Sequence, residues 1–356
     1  MKRIGNLWER ITAFDNLYLA WRKARSGKAT RPTVTRFELD LERNLLDLQK
    51  ALRTRTYQPG EYYLFEIYDR KPRVIAAAPF PDRVAHHALM NPIEPVLDRR
   101  FIHDCYACRT SKGVHAAVRR YQGWVRRYSY VLKVDVRRYF PSIDHDILKA
   151  KLRRRIKDRD VLWLFDTIID SAPNTGSPGV FFPGDDLVTL MERRCGLPIG
   201  NLTSQFLGNL YLDDLDHYLK EVCGVKAYLR YVDDLILLDD DKERLWEVKE
   251  RIDDFLVKER LRLHPDKVLA QPTALGLDVL GYRVFPDRIL LRRDNGYRYR
   301  RRLRTMRRDY QQGNITIKDI QASIAAWLGH ARHANSLGLC RSVLYPVCFT
   351  LGSRAG

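Results

Sequence analysis

A chain of 356 residues with 45% apolar and 30% charged content has the make-up of a soluble globular protein, long enough for two or three packed lobes. Its 63 Lys and Arg against 44 Asp and Glu leave a net charge of +19, partly in the runs Arg153-Arg154-Arg155 and Arg300-Arg301-Arg302, which suits a polyanionic partner whose phosphates they neutralise. No apolar run nears the ~20 residues of a membrane span, the N-terminus has no continuous apolar signal region, and six scattered cysteines make no disulfide framework. The expectation is a cytoplasmic protein that does not work at a membrane. Cys105 and Cys108 form a lone CxxC near His103 and His115, better read as a packed, reduced pair than as a zinc site.

Residues 1–60 read as helical, with Leu41, Leu45, Leu48 and Leu52 at spacings of three and four. Residues 62–78 (YYLFEIYDRKPRVIAAA) read as an extended hairpin with its turn near Asp69–Pro72. Helix resumes from Asp82, and a strand over 131–135 leads into a loop and a basic helix near 145–157. The Gly- and Pro-rich stretch 172–187 is expected as a loop or hairpin, followed by a helix over Thr203–Val222. A strand hairpin is expected over 226–238, then a helix with Leu245, Val248, Ile252, Phe255 and Leu256 on one face, and an extended segment Val279–Phe285. From about 293 the chain becomes Arg-rich helix and then a less charged helical tail.

The chemistry gathers in AYLRYVDDLILLDDD, residues 227–241. A two-residue turn between its apolar runs would set Asp233 and Asp234 at a hairpin tip. Adjacent carboxylates repel unless a cation lies between them, and hard oxygen donors suit Mg²⁺. Asp135, which ends the apolar run Val131–Val134, offers a third carboxylate. If the strands pair in one antiparallel sheet, the three acids converge on one edge. That geometry suits two-metal phosphoryl transfer at a 3′-hydroxyl. Spacing alone leaves open a blander reading, three exposed turn aspartates.

The flanking sequence resembles a reverse transcriptase over nearly the whole chain, through five motifs in order. VLKVDVRRYFPSID is similar to the first palm motif, GLPIGNLTSQFLGNLYL to the template- and nucleotide-contacting motif, and RYVDDLILL to the YxDD box. LRLHPDKV and LGLDVLGYRVF resemble the lysine-bearing and primer-grip segments. The resemblance implies an α/β (α+β) right-hand polymerase: an antiparallel palm sheet packed on helices, fingers, and a helical thumb. Along the chain this means an N-terminal helical extension over 1–60 and fingers over 61–130, with 151–195 contributing. The palm would take 131–150 and 196–290, and the thumb 291–356.

It also implies roles. Asp135 and Asp233, assisted by Asp234, would hold two Mg²⁺ ions, with Mn²⁺ as a substitute. Phe140 matches the ring that rejects a 2′-hydroxyl; the alternative is a core aromatic. Lys71 and Arg73 would grip the incoming dNTP; among Arg70, Lys71 and Arg73 the first choice for the contact is Arg73, because a guanidinium takes phosphate with two hydrogen bonds. Ile199 and Gln205 would lie beside the nucleotide. Lys267 would protonate pyrophosphate, or is a solvated lysine, and Arg109 would touch template or nucleotide. Arg300, Arg304, Arg307 and Arg308, in YRYRRRLRTMRRDY, would track the template–primer duplex, against a solvated basic helix as the alternative.

Many reverse transcriptases read Pro-Gln-Gly where this chain has Pro198-Ile199-Gly200. Losing that glutamine removes a polar restraint beside the nascent pair. LPIGNLTSQ, with GNLWERITAFDNLYLAWRKAR, KPRVIAAAPFPDRVAHHAL and LGHARHANS, resembles the enzymes of diversity-generating retroelements. The resemblance implies copying of a template-repeat RNA into cDNA with errors at adenines, together with a basic pentameric accessory variability protein. Asp239-Asp240-Asp241 and Asp185-Asp186 are candidates for an acidic patch that meets it, unless they are solvated loop charge. An antiviral-defence or retron-like reverse transcriptase is the alternative within the class. A non-catalytic nucleic-acid scaffold is the alternative outside it.

Overall fold

The computed structural model describes residues 3–68, 72–173 and 180–350. Four helices open the chain: Trp8–Thr12, Phe14–Arg25, Pro32–Glu38 and Leu41–Arg53. Leu45, Leu48 and Leu52 do form the buried stripe of the fourth, and Leu17, Ala20, Trp21 and Ala24 that of the second. Helix Phe14–Arg25 lies along helix Phe80–Asp98, whose Val84, Ala85, Ala88 and Leu89 are buried. Alanines on both partners let the two helices approach closely. Each fully buried Leu there contributes about 1.5–3 kcal/mol.

Among the described residues nine strands form three sheets. β1 (Tyr63–Tyr68) and β2 (Pro72–Ala77) pair antiparallel, Tyr63 opposite Ala77 and Ile67 opposite Arg73. The expected hairpin therefore forms; its tip, with Lys71, lies outside the described residues. β3 (Tyr130–Asp135), β4 (Ala227–Tyr231), β5 (Asp234–Asp239) and β6 (Leu269–Pro272) form a sheet in the order β4-β5-β3-β6. β7 (Leu277–Val279), β8 (Tyr282–Val284) and β9 (Ile289–Leu291) form a three-stranded antiparallel meander. The single extended segment expected over Val279–Phe285 is thus two short strands. Leu280 (φ 49°) and Gly281 (φ 95°) reverse the chain between them, the pair of positive φ values that a tight hairpin turn needs.

The chain divides into two compact units. The first comprises residues 1–109, 133–236 and 246–268. In it the helix expected over Thr203–Val222 is broken into Leu202–Tyr211, Asp213–His217 and a π-turn Tyr218–Val222. The break falls where three acids turn to different cations. Asp213 takes Arg155 at 2.8 Å, Asp214 takes Lys151 at 2.7 Å, and Asp216 takes Arg230 at 2.6 Å. Arg154 also reaches Asp214, and Arg153 reaches Asp166, each at 2.6 Å. The basic run 153–155, expected to face a polyanion, is thus spent on internal ion pairs. In helix Lys242–Lys258, Leu245, Val248, Ile252 and Leu256 are buried as expected, with Phe255 half-buried.

The second unit comprises 110–132, 237–245 and 269–356. Its helices are Val114–Val125, Arg293–Gln311, Ile317–Ala331 and Leu337–Leu344. Tyr299 and Trp327 stack at 4.4 Å over a core that includes Leu303 and Ile320. A Thr316–Asp319 capping box starts helix Ile317–Ala331.

Candidate active site

β4 and β5 are joined by Val232 and Asp233 alone, and a two-residue link between neighbouring strands makes them an antiparallel hairpin. Asp233 sits in the turn, and Asp234 opens β5. Val232 adopts φ 58°, a left-handed conformation uncommon for a β-branched residue and costing about 1–2 kcal/mol. A buried cation supports that turn from below: Arg230 Nη1 donates to the Val232 carbonyl at 3.2 Å. Arg230 is wholly buried, and its guanidinium also donates to the Asp216 carboxylate and, at 3.0 Å, to the Asn209 carbonyl. The Tyr228 hydroxyl donates to the same Asp216 at 2.6 Å. Sequence reasoning missed this support; its one signal was an arginine inside an otherwise apolar strand.

The third acid ends β3, and the backbone sews it to the other two. Val136 N–H donates to the Asp233 carbonyl at 3.0 Å, and His264 N–H donates to the Asp135 carbonyl at 2.8 Å. The 3₁₀ turn Pro265–Lys267 then brings Lys267 Nζ to Asp135 Oδ1 at 2.7 Å. Lys133 Nζ stands 3.3 Å from Asp234 Oδ1. Burial, then the charge of Asp234, then that of Asp135 push the Asp233 carboxyl up to about 6, while Lys267 pulls the other way. Asp135, Asp233, Asp234 and Lys267 are therefore one electrostatic cluster.

Three hard-oxygen donors, one of them held up by the other two, are a donor set that fits a divalent cation such as Mg²⁺. Among the described residues no trio of His, Cys, Asp or Glu forms a ready-made metal cage. Asp135 and Asp234 each face a lysine ammonium, Lys267 at 2.7 Å and Lys133 at 3.3 Å.

Phe140 lies half-buried in the short helix Tyr139–Ser142, directly after β3, and its carbonyl accepts Leu197 N–H at 2.9 Å. Ile199 belongs to a turn set against β2, its carbonyl accepting Ala76 N–H at 3.2 Å. Gly200 adopts φ +119°, and a Cβ there would come 3.1 Å from Ile75 Cγ2. The turn that carries Ile199 thus touches the strand that carries Arg73, which is exposed. Gln205 is exposed on helix Leu202–Tyr211.

Arg109, expected at template or nucleotide, is bonded within the fold. Its Nε and Nη2 bond the Asp98 carboxylate at 2.6 and 3.2 Å. Nη1 reaches the Ile102 and Cys105 carbonyls, and Nη2 that of Asp98. All five N–H donors of this nearly buried guanidinium are committed, so none is left for template or nucleotide. The candidate acidic patches are similarly engaged. Asp185 pairs with Arg193 and Arg260, Asp186 caps helix Leu187–Glu192, Asp240 accepts from Ser129, and Asp241 caps Glu243 and Arg244. Cys105 is buried and Cys108 exposed, both free thiols. In the second unit Arg300, Arg304, Arg307 and Arg308 are exposed on helix Arg293–Gln311, with Arg300 bonded to Ser342 at 3.0 Å. No described helix is long and apolar enough to cross a membrane.

Residues 68–284 match the family described as Reverse transcriptase (RNA-dependent DNA polymerase). Protein YkfC of Escherichia coli K12 is 25% identical over 246 residues, 58% of this chain and 61% of that protein. Nuclear intron maturase 1, mitochondrial, of Arabidopsis thaliana is 30% identical over 88 residues, 25% of this chain and 12% of the maturase. The chain thus spans less than two thirds of either relative. Among solved structures, apo telomerase from Candida Tropicalis aligns with a TM-score of 0.45 at 13% identity, covering 64% of this chain and 48% of the telomerase chain.

Proposed function

Because the chain belongs to the reverse transcriptase family, we propose that it is an RNA-directed DNA polymerase of the diversity-generating type, copying a template-repeat RNA into cDNA with frequent errors at adenines. The observation that carries the polymerase reading is the junction of Asp135 with Asp233 and Asp234 through the Val136–Asp233 hydrogen bond. Asp135 and Asp233, with Asp234, would hold two Mg²⁺ ions, or Mn²⁺ in their place. When bound, the ions supply acidity to the primer 3′-hydroxyl and neutralise charge on the leaving pyrophosphate. The protein's own side chains do the rest. Arg73 takes the triphosphate oxygens, Phe140 stands against the sugar, and Lys267 Nζ carries a proton for the pyrophosphate. Template RNA, cDNA primer and dNTPs are the partners of this chemistry, in palm, fingers and thumb lobes.

The finer reading rests on Ile199. An apolar side chain replaces a polar restraint beside the nascent base pair, which favours loose selection of the incoming nucleotide. A basic pentameric accessory protein is part of that proposal. Asp186, Asp240 and Asp241, exposed at the surface, are the acids of the two runs that could meet it, whereas Asp185 is paired with Arg193 and Arg260. The polymerase reading is tested with Asp233→Ala combined with Asp234→Ala. Mg²⁺-dependent cDNA synthesis should fall by more than about 100-fold, beyond the usual cost of disturbing an outer-shell group, with RNA binding retained. Undiminished synthesis would remove these acids from the active site.

A further inference from the structure

We infer that Gly208, which touches no substrate in this reading, positions the Phe140 ring and thereby sets discrimination between 2′-deoxy and 2′-hydroxy nucleotides; this rests on Phe140 being the sugar-contacting ring. Gly208 is buried inside helix Leu202–Tyr211, where glycine costs about 1 kcal/mol relative to alanine. Its backbone is helical, so conformation gives no reason for a glycine. Space does. A Cβ at 208 would lie 3.1 Å from Phe140 Cε1, 3.5 Å from Phe140 Cζ and 3.5 Å from Tyr139 Cε1.

The same residue also holds the neighbouring ring, because the Tyr139 hydroxyl donates to the Gly208 carbonyl. One bare helical position therefore receives both aromatics of the turn that follows Asp135. The Phe140 backbone is fixed independently, its carbonyl bonded to Leu197 N–H at 2.9 Å. The atom nearest a methyl group added at 208 is the Phe140 ring edge, which has to give by a few tenths of an ångström. A hydroxyl or hydrogen at C2′ differs by little more than an ångström in reach, so a ring displaced by a few tenths changes which sugar is accepted.

The test is a cycle of Gly208→Ala, Phe140→Val and the double variant, reading kcat and KM for matched dNTP and rNTP on one RNA template. Gly208→Ala should change the dNTP-to-rNTP ratio of kcat/KM by about three- to ten-fold, less than the ~100-fold that a 1 Å misplacement costs. The change should sit mainly in KM. In the Phe140→Val background the same substitution should leave the ratio unchanged, since the ring it moves is gone. An unaltered ratio in Gly208→Ala while Phe140→Val relaxes selection would overturn the inference, as would an equal effect in both backgrounds. If Phe140→Val leaves selection intact, the sugar-contact reading itself falls, and the inference with it. Should Gly208→Ala melt early, adding Phe140→Leu frees the space and should restore thermal stability; failure to restore it would contradict the contact.

Discussion

Asp233 is held between two other carboxylates and partly withdrawn from water, and burial is the larger of these influences on its proton. Its carboxyl titrates near 6 in the folded chain against about 3.9 when unfolded. A raised carboxyl favours the protonated fold, so this contribution to stability is fully present below about pH 4 and is lost as pH rises through about 6. Metal-free protein should therefore lose melting temperature between pH 4 and 7 more steeply than Asp233→Asn, which has no charge to accommodate. Adding Mg²⁺ at pH 7 should raise the melting temperature of the wild type and leave that variant nearly unmoved. Parallel pH profiles for the two proteins would show that Asp233 is not strained in this way. The meeting of the three acids was legible in the sequence because each ends or begins an apolar run, while their spacing alone left open three exposed turn aspartates. The bonding of Arg109 was not legible, because it depends on five acceptors that only the fold brings together.

The element on which the site depends is the β4–β5 hairpin. Its existence and two-residue turn were legible from the apolar runs on either side of two aspartates. What steadies it was not, since the Arg230–Asp216 pair joins a strand to a helix fragment and pairing of that kind leaves no periodic trace. Asp216 and Arg230 are both fully buried. Removing one partner leaves the other charge uncompensated, at a cost of about 3–5 kcal/mol. Asp216→Ala should lower unfolding free energy by that amount in denaturant titration. It should also reduce kcat in the surviving folded fraction, because the Val232 carbonyl loses a fixed donor. A variant of wild-type stability would mean that the pair is solvated in solution. The extended segment over Val279–Phe285 was legible, but its division into β7 and β8, and β9 after it, were not: three residues are too few to display a period of two.

For the whole molecule, net charge alone was a poor guide to where nucleic acid would lie. Of the two arginine runs that stand out in the sequence, 153–155 is spent on Asp166, Asp213 and Asp214, while 300–302 and the arginines after it remain exposed. Charge becomes an interface only after the internal pairs are subtracted. The proposal of an RNA-copying polymerase with fidelity loosened at Ile199 is tested most directly by sequencing the cDNA that the protein makes in Mg²⁺ from a template-repeat RNA. Parallel reactions with and without the accessory protein, and with Ile199→Gln, complete the comparison. The account predicts template-length cDNA with errors concentrated opposite adenine, and fewer such errors from Ile199→Gln. Absence of any RNA-templated product from folded protein, or cDNA copied faithfully at adenines in every reaction, would contradict it.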